Sequence, residues 1–148
     1  MLLIRDATSS HVPEINTLVF SNVKNQVPSG ILSYVLELTS MATGASTSCR
    51  IASPKLNDRR MEVSITLTKA TPDPTIGQLT MGTPTLPYGL YRYRLAHQPL
   101  TPVNTDIDNA TIFQYGSALL IDKNGNMAEL ADAFTEYIDN NTYHAYED

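Results

Sequence analysis

Apolar and polar residues alternate at period two through the middle of the chain. In Ile31–Thr39 the set Leu32, Tyr34, Leu36 and Leu38 faces one side. Met61, Val63, Ile65 and Leu67 repeat the pattern against Arg60, Glu62, Ser64, Thr66 and Thr68, and Tyr91, Tyr93 and Leu95 against Arg92 and Arg94. Successive strand side chains point to opposite faces, so each run offers one wall to a core and one to water. Antiparallel sheets with one solvated face read this way. Shorter runs predict further strands at Leu2–Arg5, Ile15–Phe20, Ser46–Ala52, Gln78–Thr83 and Thr111–Ile121.

Turn residues separate the runs: Pro28-Ser29-Gly30, Thr43-Gly44, Asn57-Asp58 and Pro87-Tyr88-Gly89, with loops at Thr71–Pro74 and Pro99–Asn104. Many short strands with little helix between them predict an all-β sandwich or barrel. The stretch Leu86–Leu95, a tight turn followed by an aromatic alternating strand, narrows this to an immunoglobulin-like antiparallel β-sandwich. In such folds a Tyr near the start of the penultimate strand bonds back to the preceding turn. Tyr91 either fills that corner or is a core aromatic, and both roles bury it.

The pattern changes after residue 121, which divides the chain into a β-domain (1–121) and a C-terminal helix with an extended acidic arm (122–148). Asp122-Lys123-Asn124-Gly125 has turn chemistry, and Asn126 stands three residues before Glu129 as in a capping box. Glu129 and Asp132 suit the positive end of a helix dipole. Leu130, Phe134, Tyr137 and Ile138 recur at helical spacing and predict one apolar stripe. A helix of about three turns is marginal alone in water, so it must dock on protein. Tyr143 and Tyr146, in the stretch Asn141–Tyr146, have the spacing of a strand added to a neighbour's sheet edge. These six apolar and aromatic residues are the expected partner-binding positions.

Charge sharpens that division. Residues 1–121 hold nine Lys/Arg against eight Asp/Glu, net +1, whereas 122–148 hold Lys123 against seven acids, net −6. A near-neutral body lacks the basic footprint that phosphate backbones require, so nucleic acid is not an expected partner. At 148 residues one domain can bury roughly two-thirds of its unfolded surface, and a 42% hydrophobic composition supplies a core without metal or disulfide. The lone Cys49 excludes an internal bridge. The opening Met-Leu-Leu-Ile-Arg-Asp shows no secretory signal, and no apolar run approaches the roughly 20 residues of a membrane span.

Candidate chemistry is sparse. His11, His97 and His144 lie far apart and none has a ligand-spaced partner. Asp122-Lys-Asn124-Gly-Asn126 imitates a calcium loop, but Met127 and Ala133 occupy the positions that need Gly and a bidentate Glu. Asn104, Asp106 and Asp108 offer alternate oxygens, as surface turns often do. Arg50, Lys55, Arg59 and Arg60 read as a solvated hairpin. Among Tyr88, Tyr91 and Tyr93, alternation leaves only Tyr88 free to stack on a sugar. The expectation is a non-enzymatic protein without metal or cofactor.

The order of strands carries a resemblance. A long strand ending Leu-Thr-Ser-Met-Ala-Thr-Gly, then Arg-Met-Glu-Val-Ser-Ile-Thr-Leu, Tyr-Gly-Leu-Tyr-Arg-Tyr-Arg-Leu and a closing Ile-Phe-Gln-Tyr-Gly-Ser-Ala-Leu-Leu-Ile resemble small virion structural proteins of tailed bacteriophages. The likeness spans most of residues 1–121. It implies a particle component assembled in the host cytoplasm: a capsid decoration (auxiliary) protein that binds the capsid or neighbouring copies through sheet edges and its C-terminal arm, and so an expected homo-oligomer. The alternatives are a neck or tail component, or a carbohydrate-binding adhesive module.

Overall fold

The computed structural model describes residues 1–7, 9, 11–21, 32–51, 54–57 and 59–122. Strand is the dominant element of the described residues: β1 (Leu2–Arg5), β2 (Glu14–Ser21), β3 (Leu32–Ser40), β4 (Ser46–Ile51), β5 (Lys55–Leu56), β6 (Arg60–Leu67), β7 (Gln78–Leu79), β8 (Gly89–Pro99) and β9 (Thr111–Ile121). One sheet has the order β1-β9-β8-β3-β4; the other has β2-β6-β5, with β7 added to β6. The predicted Tyr91–Leu95 run thus extends to eleven residues in β8.

The two sheets share one core. Leu18 and Phe20 of β2 and Met61, Val63, Ile65 and Leu67 of β6 meet Leu36, Leu38, Tyr91, Leu95 and Leu120 of the larger sheet. These are the positions that alternation assigns inward, and the strands form because burying each such side chain contributes roughly 1.5–3 kcal/mol. Phe20 meets Tyr93 edge-on at 5.3 Å, an aromatic contact across the two sheets. Asn16 of β2 also bridges them. Its side-chain oxygen accepts from Arg5 N at 2.8 Å and its amide donates to Arg5 O at 2.9 Å, satisfying a backbone edge that β9 leaves open.

Two expectations need correction, and one strand was not anticipated. The sheets are mixed, because β1 runs parallel to β9 and β7 parallel to β6. Period-two alternation reports which face is buried and carries no information on a partner's direction. The strand expected over Gln78–Thr83 stops at Leu79, since Gly82 takes φ +76° in a turn where Gly82 N and Thr83 N donate to Leu86 O. Strand β5 has two exposed residues and no alternation to announce it. The helix and arm expected over residues 122–148 lie outside the described residues beyond Asp122.

Candidate interaction face

Because Tyr91, Tyr93 and Leu95 point into the core, the residues between them form the outer surface of the five-stranded sheet. Register aligns them in rows. Arg94 stands between Glu37 of β3 and Tyr115 of β9, and Arg92 between Thr39 and Ser117. Arg94 Nε donates to Glu37 Oε1 at 2.8 Å and its terminal nitrogen lies 2.6 Å from the same oxygen. Thr39 and Ser46 hydroxyls bond at 2.7 Å on the next strand pair. These side chains frame a shallow depression of about 380 Å³. Tyr115 is 80% exposed although it occupies the middle of a strand.

The ends of this face differ. Towards Pro99 it is roofed by the following loop, where Ile107 packs on Val35 and Ala96 with Ala110 alongside, and Gln98 Nε2 donates to Asn104 O at 3.0 Å. Towards Gly89 it is open, and Leu3, Leu90 and Met41 stay about half exposed. A β-bulge between Leu95 and Ala96 sets the phase of β9. It leaves Phe113 unpaired and turned inward, stacked at 5.7 Å on His97 and edge-on at 6.1 Å to Tyr34. Burial lowers the His97 pKa and raises that of Tyr34.

A polar node sits in the interior at the open end. Asp6 is fully buried; Lys69 Nζ and Tyr88 Oη donate to its Oδ2, the latter at 2.8 Å, and Ala7 N donates to Oδ1 at 2.8 Å. Lys69 also donates to Met81 O at 3.0 Å. Gly82 makes room for this cluster, since a Cβ there would collide with Asp6 Oδ2 and lie 2.9 Å from Tyr88 Oη. Burial, then the Asp6 hydrogen bond and charge, push the Tyr88 hydroxyl up to about 12. The cluster pins the end of β1 to Lys69 and to the loop before β8.

The expected partner-binding residues Leu130, Phe134, Tyr137, Ile138, Tyr143 and Tyr146, like His144, lie outside the described residues. Tyr88, expected to be free for stacking, is 36% exposed, and its hydroxyl donates to Asp6 at 2.8 Å. The Arg50–Arg60 group is divided. Lys55 and Arg60 belong to the β5–β6 hairpin, whose turn Asn57 Oδ1 closes by accepting from Arg59 N and Arg60 N, while Arg50 lies on β4 of the other sheet. Asp106 Oδ1 accepts from Asp108 N at 3.2 Å within its own turn. Among the described residues no three His, Cys, Asp or Glu side chains gather as metal ligands. Cys49 is buried, its thiol pushed up to about 12 by burial. Sequence reasoning passed over Tyr115 and the Arg92–Arg94 rows.

Comparison with family models, with curated proteins and with solved structures finds no match to this chain.

Proposed function

We propose that the chain is a non-enzymatic structural subunit of a tailed-bacteriophage virion, a capsid decoration protein that binds the capsid or neighbouring copies through its larger sheet and its C-terminal segment. The observation that carries this is the outer face of that sheet. An aromatic ring 80% exposed at mid-strand and in register with Arg94, on a face whose open end carries half-exposed Leu3, Leu90 and Met41, is a surface composed for protein contact. Tyr and Arg are the residues that anchor interfaces, because each joins a large contact area to directed hydrogen bonds. On this face Arg94 is held by Glu37 and Thr39 by Ser46, which leaves Arg92 exposed for a partner.

The immunoglobulin-like form of the β-fold belongs to the same reading. Support comes from the strand order β1-β9-β8-β3-β4 over β2-β6-β5, and from Tyr91, whose hydroxyl returns to the turn before its strand. Rigid domains of this kind present a flat sheet to a shell, where repeated copies multiply a modest contact.

Two measurements test the reading. Purified tailed-phage particles should contain the chain by immunodetection; particles without it retire the virion setting. Sedimentation of the full chain should show concentration-dependent association, weakened by Tyr115→Glu with an unchanged circular dichroism spectrum. A monomer at every concentration that also ignores capsids counts against the structural role.

A further inference from the structure

We infer that the outer face of the five-stranded sheet receives the acidic segment 123–148 of a neighbouring copy. This rests on the structural-subunit reading above and names the surface that reading leaves unnamed.

The charged strand residues of that face are predominantly basic. Alternation places Arg5 of β1, Arg50 of β4 and Arg92 and Arg94 of β8 on it, opposite to the core residues Ile4, Cys49, Ile51, Tyr91 and Leu95. Glu37 is the one acid among these strand positions, which leaves a net +3. Arg94 is neutralised by Glu37, whereas Arg92 stands exposed between Thr39 and Ser117. Arg50 Nε is buried with no hydrogen-bond partner among the described groups, a donor left unspent.

Against this face stands a segment of opposite charge. Residues 123–148 hold Lys123 against Glu129, Asp132, Glu136, Asp139, Glu147 and Asp148, net −5, with Leu130, Phe134, Tyr137 and Ile138 among them. Apolar and acidic groups together match a surface that is apolar at Leu3, Leu90 and Met41 and basic beyond. Two copies meeting face to face would instead oppose two like-charged arginine surfaces, which charge repulsion disfavours.

A neighbour is the donor because of direction. β9 leaves the sheet beside Gly89, where Leu120 pairs with that residue. Arg92 and Arg94 lie three and five residues back along β8, so the chain as it exits moves away from them. In its own copy the segment would have to turn back over the sheet, whereas the same segment of a second copy arrives from outside it, as the contact between copies in the structural-subunit reading requires.

The test uses the full chain with p-benzoylphenylalanine in place of Tyr115, as an equal mixture of unlabelled and nitrogen-15 protein. Lys123 is the last basic residue, so trypsin releases 124–148 as one peptide. Irradiation should join residue 115 to that peptide in light–heavy pairs. Pairs of one isotope only, or cross-links confined to residues 1–122, overturn the inference. In parallel, Arg92→Glu should weaken self-association about tenfold at low salt, and Asp132→Arg in the same chain should restore it. Self-association that Arg92→Glu leaves unchanged overturns the docking site while sparing the structural-subunit reading. A chain that never self-associates sinks the docking site together with the neighbour contact it depends on.

Discussion

The hydroxyl of Tyr91 donates to the carbonyl oxygen of Pro87 at 2.7 Å, so the first inward residue of β8 is tied to the turn that delivers it. The ring is buried, and burial is the main reason its pKa is pushed up to about 12, so it donates as a neutral phenol through the physiological range. Tyr91→Phe keeps the ring and removes the bond, leaving the Pro87 carbonyl to find water. The expected cost is about 1 kcal/mol in urea unfolding with an unchanged slope. No loss would mean that the corner is held by packing alone.

Asp6 and Lys69 make an unequal pair. The carboxylate is inaccessible to solvent, whereas the Lys69 side chain is 28% exposed. Removing the lysine strands a buried charge; removing the carboxylate frees an ammonium that can turn to water. Lys69→Met is therefore expected to cost about 2 kcal/mol, less than the loss of a fully buried partner, and Asp6→Asn less again. Asp6→Asn placed on Lys69→Met should recover part of the loss. Calorimetry of the four proteins measures the coupling, and strictly additive losses would show that the two do not act as a pair.

What could be read from sequence was whatever alternation encodes. Leu2–Arg5 and Thr111–Ile121 match β1 and β9 end to end, and the inward set Met61, Val63, Ile65 and Leu67 lines the core. Tyr91 was a candidate corner because a turn and an aromatic strand adjoin within ten residues. The node around Asp6 was hidden, since its partners lie 63 and 82 positions away and nothing local relates them. Tyr115 was hidden by the bulge: Phe113 and Gln114 interrupt the alternation, so phase counted from Ile112 loses the outer face. Chain direction in the β1–β9 pair was also unreadable, because it depends on the crossover to β2.

Gly116 lies opposite Tyr93 in the β8–β9 ladder, and the tyrosine ring occupies the space a side chain would need. A Cβ at position 116 would stand 2.8 Å from Tyr93 Cε1, closer than carbon atoms approach. Gly116→Ala should cost about 1–3 kcal/mol as the ring is driven toward Phe20. Tyr93→Leu in the same chain should absorb much of that penalty, because the displaced group is then smaller. Thermal midpoints of the single and double variants test this; equal penalties for alanine beside either residue would exclude the ring as the cause.

His97 gives the fold an acid limit of its own. It sits opposite Tyr34 in the β3–β8 ladder and stacks on Phe113, and burial holds its pKa below the ordinary value. In the unfolded chain the imidazole titrates at about 6.5. Above that pH both states are neutral and the stability is fully present. As pH falls through it, the unfolded chain binds a proton that the folded chain resists, and stability is lost progressively until the folded imidazole also protonates. His97→Gln removes the proton site, so its urea midpoint should fall less steeply than that of the parent between pH 7 and about 5. The difference between the two curves isolates His97 from the carboxylates, which titrate in both proteins. Parallel curves would place the imidazole in contact with water and sever its link to the Phe113 bulge.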